Sequence, residues 1–238
     1  MNRQTFYEII FSDSSLLIRC AFGLTIITLT LVLWMQTESS LAQAQEIGLP
    51  LTVTLNDIGN GQPIPGKFAY CIPDGSGGAK DGGNVSPAIT WSAGPTGTKS
   101  YVLLVVDKDV PASFELANQV GKIIPADFHR QNFYHWVLIN IPVNITSFSE
   151  GESRYGIVGQ NSFGARSKSR NGYDGPCPPW NDVLLHHYHF QIYALDISTL
   201  SLGNTFSGKQ VDDAMNGHIL AQGQTIGTYT TNPQMLVK

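Results

Sequence analysis

Three segments of this 238-residue chain place ionisable side chains where extended runs begin or end. In V-V-D-K-D-V-P at 105–111, Asp107 and Asp109 follow an apolar run and Pro111 closes it. In F-Y-H-W-V-L-I-N-I-P at 133–142, His135 heads a run of the buried type. The third segment, 172–196, couples the loop G-Y-D-G-P-C-P-P to a strand-like run that opens with His186, His187 and Tyr188. Gly175 has no side chain and Pro176 no N–H, so such a loop can lay its backbone against a small ligand. Alternation along a strand puts His186 and Tyr188 on one face and His187 and His189 on the other. Imidazole and phenol groups aimed at the loop can hold phosphate or carboxylate oxygens. If Asp107 reaches His135, the ring is held in one orientation and its cationic form is favoured. Asp109 is also suited to accept backbone N–H groups in an Asx-type turn.

The same side chains include the types needed for a divalent metal site or a His/Asp general base. No spacing among them is specific for a metal, however, and no G-x-S-x-G elbow, P-loop or strand-to-helix G-x-G-x-x-G occurs. Ligand binding without catalytic residues, metal or cofactor is therefore the leading expectation. A metal-dependent or His/Asp-based enzyme is one alternative. A regulator or inhibitor acting by protein–protein contacts through the polar 143–172 excursion is the other. The formal charge of −4, without a basic stripe, gives no support to nucleic-acid binding.

The elements that must position these groups read mainly as strands. Leu51 to Asn56 alternates in polarity, Lys67 to Ile72 and Ala88 to Trp91 are short strand candidates, and Gly59 to Gly66 and residues 75–87 read as Gly-rich connectors. Tyr101 to Val106 and Trp136 to Ile141 are nearly all apolar, as central strands buried on both faces are. His187 to Leu195 is the third core strand, and Lys209 to Ala221 the one helix, with Ser207 as N-cap and Asp212 and Asp213 in its early turns.

The first 44 residues read differently. Arg3 and Arg19 precede the apolar run Cys20 to Trp34, and Ala42-Gln43-Ala44 has the small residues of a cleavage site. The expectation is a signal peptide over 1–44 and an exported, periplasmic or extracellular domain over 45–238, with an N-terminal membrane anchor as the alternative. The leader carries two basic and three acidic side chains, so cleavage would change the net charge from −4 to −3. It would leave Cys71 and Cys177, an even pair that reads as one disulfide in an oxidising compartment and as two buried thiols otherwise.

Together the motifs resemble the phosphatidylethanolamine-binding protein family, in particular its bacterial, Raf-kinase-inhibitor-like branch, over roughly residues 50–230. D-K-D-V-P is similar to the family's D-P-D-A-P with Lys108 in place of a proline, His135-Trp136 to its histidine–aromatic pair, G-P-C-P-P to its Gly-Pro-Pro loop, and H-H-Y at 186–188 to its His-x-Tyr. The resemblance implies a single-domain, mainly β, Greek-key β-sandwich-like fold with a few short peripheral helices. It also implies a pocket for an anionic ligand or phospholipid head group, with Asp107, Asp109, His135, Gly175, Pro176, His186 and Tyr188 as site residues. A cis bond before Pro111 is implied as well.

Overall fold

The computed structural model describes residues 50–169 and 171–236, so the leader expectation for 1–44 lies outside the described residues. The strands are β1 (Val53–Leu55), β2 (Gln62–Pro63), β3 (Cys71–Pro73), β4 (Ala79–Asp81), β5 (Ile89–Trp91), β6 (Ser100–Pro111), β7 (Arg130–Pro142), β8 (Ser147–Phe148), β9 (Ile157–Val158), β10 (His186–Leu195) and β11 (Ile219–Tyr229). One helix, α1 (Gly208–Ala214), precedes β11. Six strands form one sheet in the order β2-β11-β10-β6-β7-β9. β1, β5 and β8 form a second sheet, and β3 and β4 a hairpin.

β6 is central because its residues tolerate apolar contact on both faces. Tyr101 through Val106 are at most 3% exposed. Tyr101, Leu103 and Val105 face one core with Trp136, Leu138, Phe190 and Ile192, closed by Leu55, Ile89 and Trp91 of the small sheet. Val102, Leu104 and Val106 face the other with Val137, Ile139, Phe206 and, from α1, Val211. The expected mainly β architecture is therefore present, with sheet packed on one side and the helix on the other.

Several local expectations change. The 67–72 segment becomes a strand only from Cys71, and the Gly-rich connector that follows contains β4, paired with β3. The excursion at 143–172 supplies β8, the edge strand β9 and a 3-10 turn at Gly164–Arg166. Ser207 caps α1 in a reciprocal box with Gln210. The helix nevertheless ends at Ala214, which leaves Asp212 and Asp213 in its last turn rather than its first. Gly217, at φ 82°, then turns the chain into β11, so Ile219 and Ala221 are strand residues.

There is no cis peptide bond among the described residues, which corrects the expectation at Val110–Pro111. Both residues continue β6, paired with Gln131 and Arg130, so the chain runs on in extended form here instead of closing a tight turn. Cys71 and Cys177 are joined in a disulfide with their Cα atoms 5.0 Å apart, which ties the β3–β4 hairpin to the 175–179 loop.

Candidate functional site

The register of the large sheet brings the sequence candidates together. Tyr188 of β10 lies opposite Asp107 of β6. On the other side of β6, Val105 pairs with Trp136 and Val106 with Tyr134, so His135 is the extra residue of a β-bulge. A bulge re-aims one side chain without breaking the strand. His135 is thereby turned onto the 174–175 backbone. Its Nδ1 lies 2.7 Å from the Asp174 carbonyl oxygen and 3.1 Å from that of Gly175. Carbonyls only accept, so Nδ1 carries the hydrogen and Nε2 keeps a lone pair when the ring is neutral. Burial pushes the ring's pKa below the ordinary 6.5, although Asp107 acts in the opposite sense.

Two polar atoms here are buried without a hydrogen bond of good geometry, His135 Nε2 and the Tyr188 hydroxyl, the hydroxyl lying close enough to Asp107 for that carboxylate to act on it. The two rings meet edge to face, with centroids 5.0 Å apart. Protein interiors rarely leave such atoms unpaired, because each costs about 1–3 kcal/mol. Burial, with the nearby Asp107 carboxylate, holds the Tyr188 phenol well above its usual pKa, so it remains a hydroxyl that can donate.

Asp107 bonds to His186 rather than to His135. His186 Nδ1 lies 2.6 Å from Asp107 Oδ2, and its Nε2 lies 3.2 Å from Asp182 Oδ2. Asp182 in turn receives both terminal nitrogens of Arg130, at 2.5 and 3.1 Å. The result is a buried chain of alternating acids and bases. Burial opposes a charge on His186, but hydrogen bonds to the two carboxylates push its pKa up to about 9. Burial would likewise raise Asp182, yet His186 and Arg130 hold it below the usual carboxylate value. With both ring nitrogens committed, His186 supports Asp107 from behind and has none left for a ligand.

The cavity in front of these groups has a volume of about 230 Å³. Asp107 and His135 form part of its lining, Tyr70, Phe114, Phe133 and Phe163 supply aromatic walls, and Cys177, Pro178 and Pro179 form one side. Tyr70 and Phe163 stack at 4.5 Å, and Phe133 meets Phe163 edge-on. Arg166 also lines the cavity and is exposed, and no carboxylate among the described residues pairs with it. A larger hollow of about 340 Å³ lies between Val158 and Gly172, but its lining contains no ionisable side chain.

Gly175 and Pro176 are placed behind His135 rather than in the wall. The Gly175 carbonyl accepts from the imidazole, and the Pro176 carbonyl accepts from the Cys71 N–H. A Cβ on Gly175 would lie 1.9 Å from the Phe68 carbonyl oxygen, so only glycine allows the two backbones to approach this closely. The loop is anchored by the buried Asp174, whose carboxylate accepts from Asn84, Asn161, Ser167 and the Lys168 N–H. Asp109 stays outside the cavity lining. Its carboxylate accepts from the His187 N–H at 2.8 Å and meets His187 Nδ1 at 2.9 Å, while its own N–H donates to Asp107 Oδ1. Sequence reading did not single out Tyr70, Phe133, Phe163, Arg166, Arg130, Asp174 or Asp182. Signals were nevertheless available: Asp174 and Asp182 flank G-P-C-P-P at close range, and Phe163 and Arg166 lie in the 143–172 excursion, whose length reads as a functional flap or site wall.

A family model described as phosphatidylethanolamine-binding protein matches residues 54–230. A UPF0098 protein of Aquifex aeolicus is 35% identical over 170 residues, covering 71% of this chain and 82% of its own length. The UPF0098 protein YbcL of Escherichia coli is 29% identical over 185 residues, covering 74% and 86%. Among solved structures, a phosphatidylethanolamine-binding protein homolog from Chlamydia trachomatis superposes with a TM-score of 0.57 at 30% identity, covering 76% of this chain and 97% of that one. The YbcL structure gives 0.58 at 28% identity, covering 76% and 98%.

Proposed function

This chain belongs to the phosphatidylethanolamine-binding protein family, and from that premise we propose that its cavity binds the anionic head of a phosphate ester, a phospholipid head group included. The observation that carries the reading is the pair of unpartnered buried atoms, His135 Nε2 and the Tyr188 hydroxyl: His135 lines the aromatic-walled cavity, and Tyr188, outside the lining, packs edge to face against His135. A phosphate oxygen supplies an acceptor for the Tyr188 hydroxyl and, once His135 is protonated, for its Nε2. The Tyr188 hydroxyl donates to it, and Nε2 takes up a proton to become a charged donor. Arg166 is the cation at hand for the remaining negative charge. The aromatic walls cover the apolar part of the ligand. Export is part of the same proposal. The disulfide against the cavity wall supports an oxidising compartment, since such bonds persist there and are rare in the cytosol.

Calorimetric titration with glycerophosphoethanolamine tests this reading, because a phosphodiester keeps one charge across the histidine range. Affinity falls as pH rises above the free-ring pKa of His135, and binding takes up a proton, seen as a buffer-dependent heat. His135→Ala and Tyr188→Phe each weaken binding by roughly tenfold to a hundredfold, the worth of about 1.5–3 kcal/mol per charge-assisted bond. Unchanged affinity in both variants would remove these residues from the site.

A further inference from the structure

The 112–129 segment between β6 and β7 carries an apolar surface that the head-group site does not account for. Val120 is 92% exposed, Ile123 62% and Phe114 48%. Val183, 38% exposed, is held beside Ile123 by the bond from its N–H to the Ile124 carbonyl. These side chains are presented by a fixed scaffold. Asn181 accepts from the Asn118 N–H at 2.8 Å and donates to the carbonyls of Leu116 and Lys122 at 2.8 and 3.1 Å. Asn118 Oδ1 accepts in turn from the Trp180 N–H, and Ile124 is fully buried as the anchor. The turns at Asn118 and Gly121, both at positive φ, then push Val120 outward. A segment pinned at this many points cannot fold its apolar tip back onto the core, so the tip stays in water at a cost that grows with its apolar area.

The position of this tip relative to the cavity identifies what covers it. Phe114 and Asn118, on the same segment, line the cavity. We infer that 112–129 is a peripheral membrane-docking loop that sets the cavity against the surface of a phospholipid bilayer. The inference rests on the head-group reading above, since a head group held in the cavity brings its acyl chains and neighbouring lipids to the mouth. A bilayer also fits the size of the patch. Four exposed apolar side chains are few beside the roughly 20–30 residues a side that a stable protein interface engages. A few apolar side chains do suffice for shallow insertion at the head-group boundary. The charges on the loop, Glu115 and Asp127 against Lys122, leave no basic excess, so docking is apolar and does not require anionic lipid.

Hydrogen–deuterium exchange of the full chain, with and without phosphatidylcholine/phosphatidylethanolamine vesicles, tests the inference locally. It reads 112–129 itself, whatever the leader does. The expected result is about tenfold slower exchange over residues 118–123 with vesicles, the scale of burying a single valine or isoleucine. Soluble glycerophosphoethanolamine alone gives no such slowing there. Val120→Asp/Ile123→Asp, at two exposed sites, abolishes the vesicle protection and leaves calorimetric binding of the soluble ester unchanged. Unaltered exchange at 118–123 with vesicles, in a protein that still binds the ester, would overturn the inference. So would protection that appears without vesicles and grows with protein concentration, which would mean that a second copy covers the patch. Vesicle protection in a protein that does not bind the ester would refute the head-group reading and, with it, the docking role assigned here.

Discussion

The buried chain Arg130–Asp182–His186–Asp107 makes stability depend on pH with a definite sign. His186 has its folded-state pKa raised from 6.5 to about 9. The folded protein therefore holds a proton that the unfolded chain releases between those values. The stabilisation this provides is fully present below pH 6.5 and is lost as pH rises through about 9. One pKa unit corresponds to about 1.4 kcal/mol, so the loss across this window is on the order of 3 kcal/mol, a large fraction of a domain's usual 5–15 kcal/mol. Few other groups compete there. Cys71 and Cys177 are paired, the His135 shift acts below 6.5, and the raised tyrosines titrate above the window. Urea denaturation from pH 6.5 to 9.5 with the disulfide intact measures the effect as a falling midpoint at constant slope. His186→Gln keeps polar contacts but not the proton, so it is less stable than wild type at pH 6.5, and the gap narrows by about 3 kcal/mol by pH 9.5. A wild-type stability that is flat over this range, or the same decline in the variant, would refute the reasoning.

Two further perturbations probe the framework behind the cavity. Gly175→Ala drives a methyl group into the Phe68 carbonyl, so it should cost several kcal/mol in denaturation midpoint and weaken ester binding by displacing the His135 acceptor. Reducing the disulfide or replacing both cysteines with serine removes a cross-link between residues 106 apart in sequence; a loss of about 2–5 kcal/mol is expected by thermal or urea denaturation.

The sequence was most legible where composition and geometry agree. Tyr101 to Val106 is apolar throughout and lies at the centre of the large sheet, and the parity of His186 and Tyr188 against His187 and His189 matches their burial. β11 was missed because Gly223 and Gly227 weaken a strand signal, and both are needed where backbone or side chains of neighbouring segments approach closely. The candidate site was legible in membership more than in roles. Asp107, His135 and Tyr188 do come together, but one-dimensional spacing cannot reveal that a bulge turns His135 onto the 174–175 carbonyls. Nor can it show that Asp182 and Arg130 recruit His186 into a buried relay. The aromatic walls come from four separated segments, at Tyr70, Phe114, Phe133 and Phe163, and no local pattern links them.

A crystal structure with glycerophosphoethanolamine bound tests the central claim most directly. The account predicts a phosphate oxygen within about 3 Å of His135 Nε2, a second contact from the Tyr188 hydroxyl, and His186 unchanged between its two carboxylates. Density for the ester elsewhere on the protein, with His135 Nε2 and the Tyr188 hydroxyl still unpaired, would contradict it.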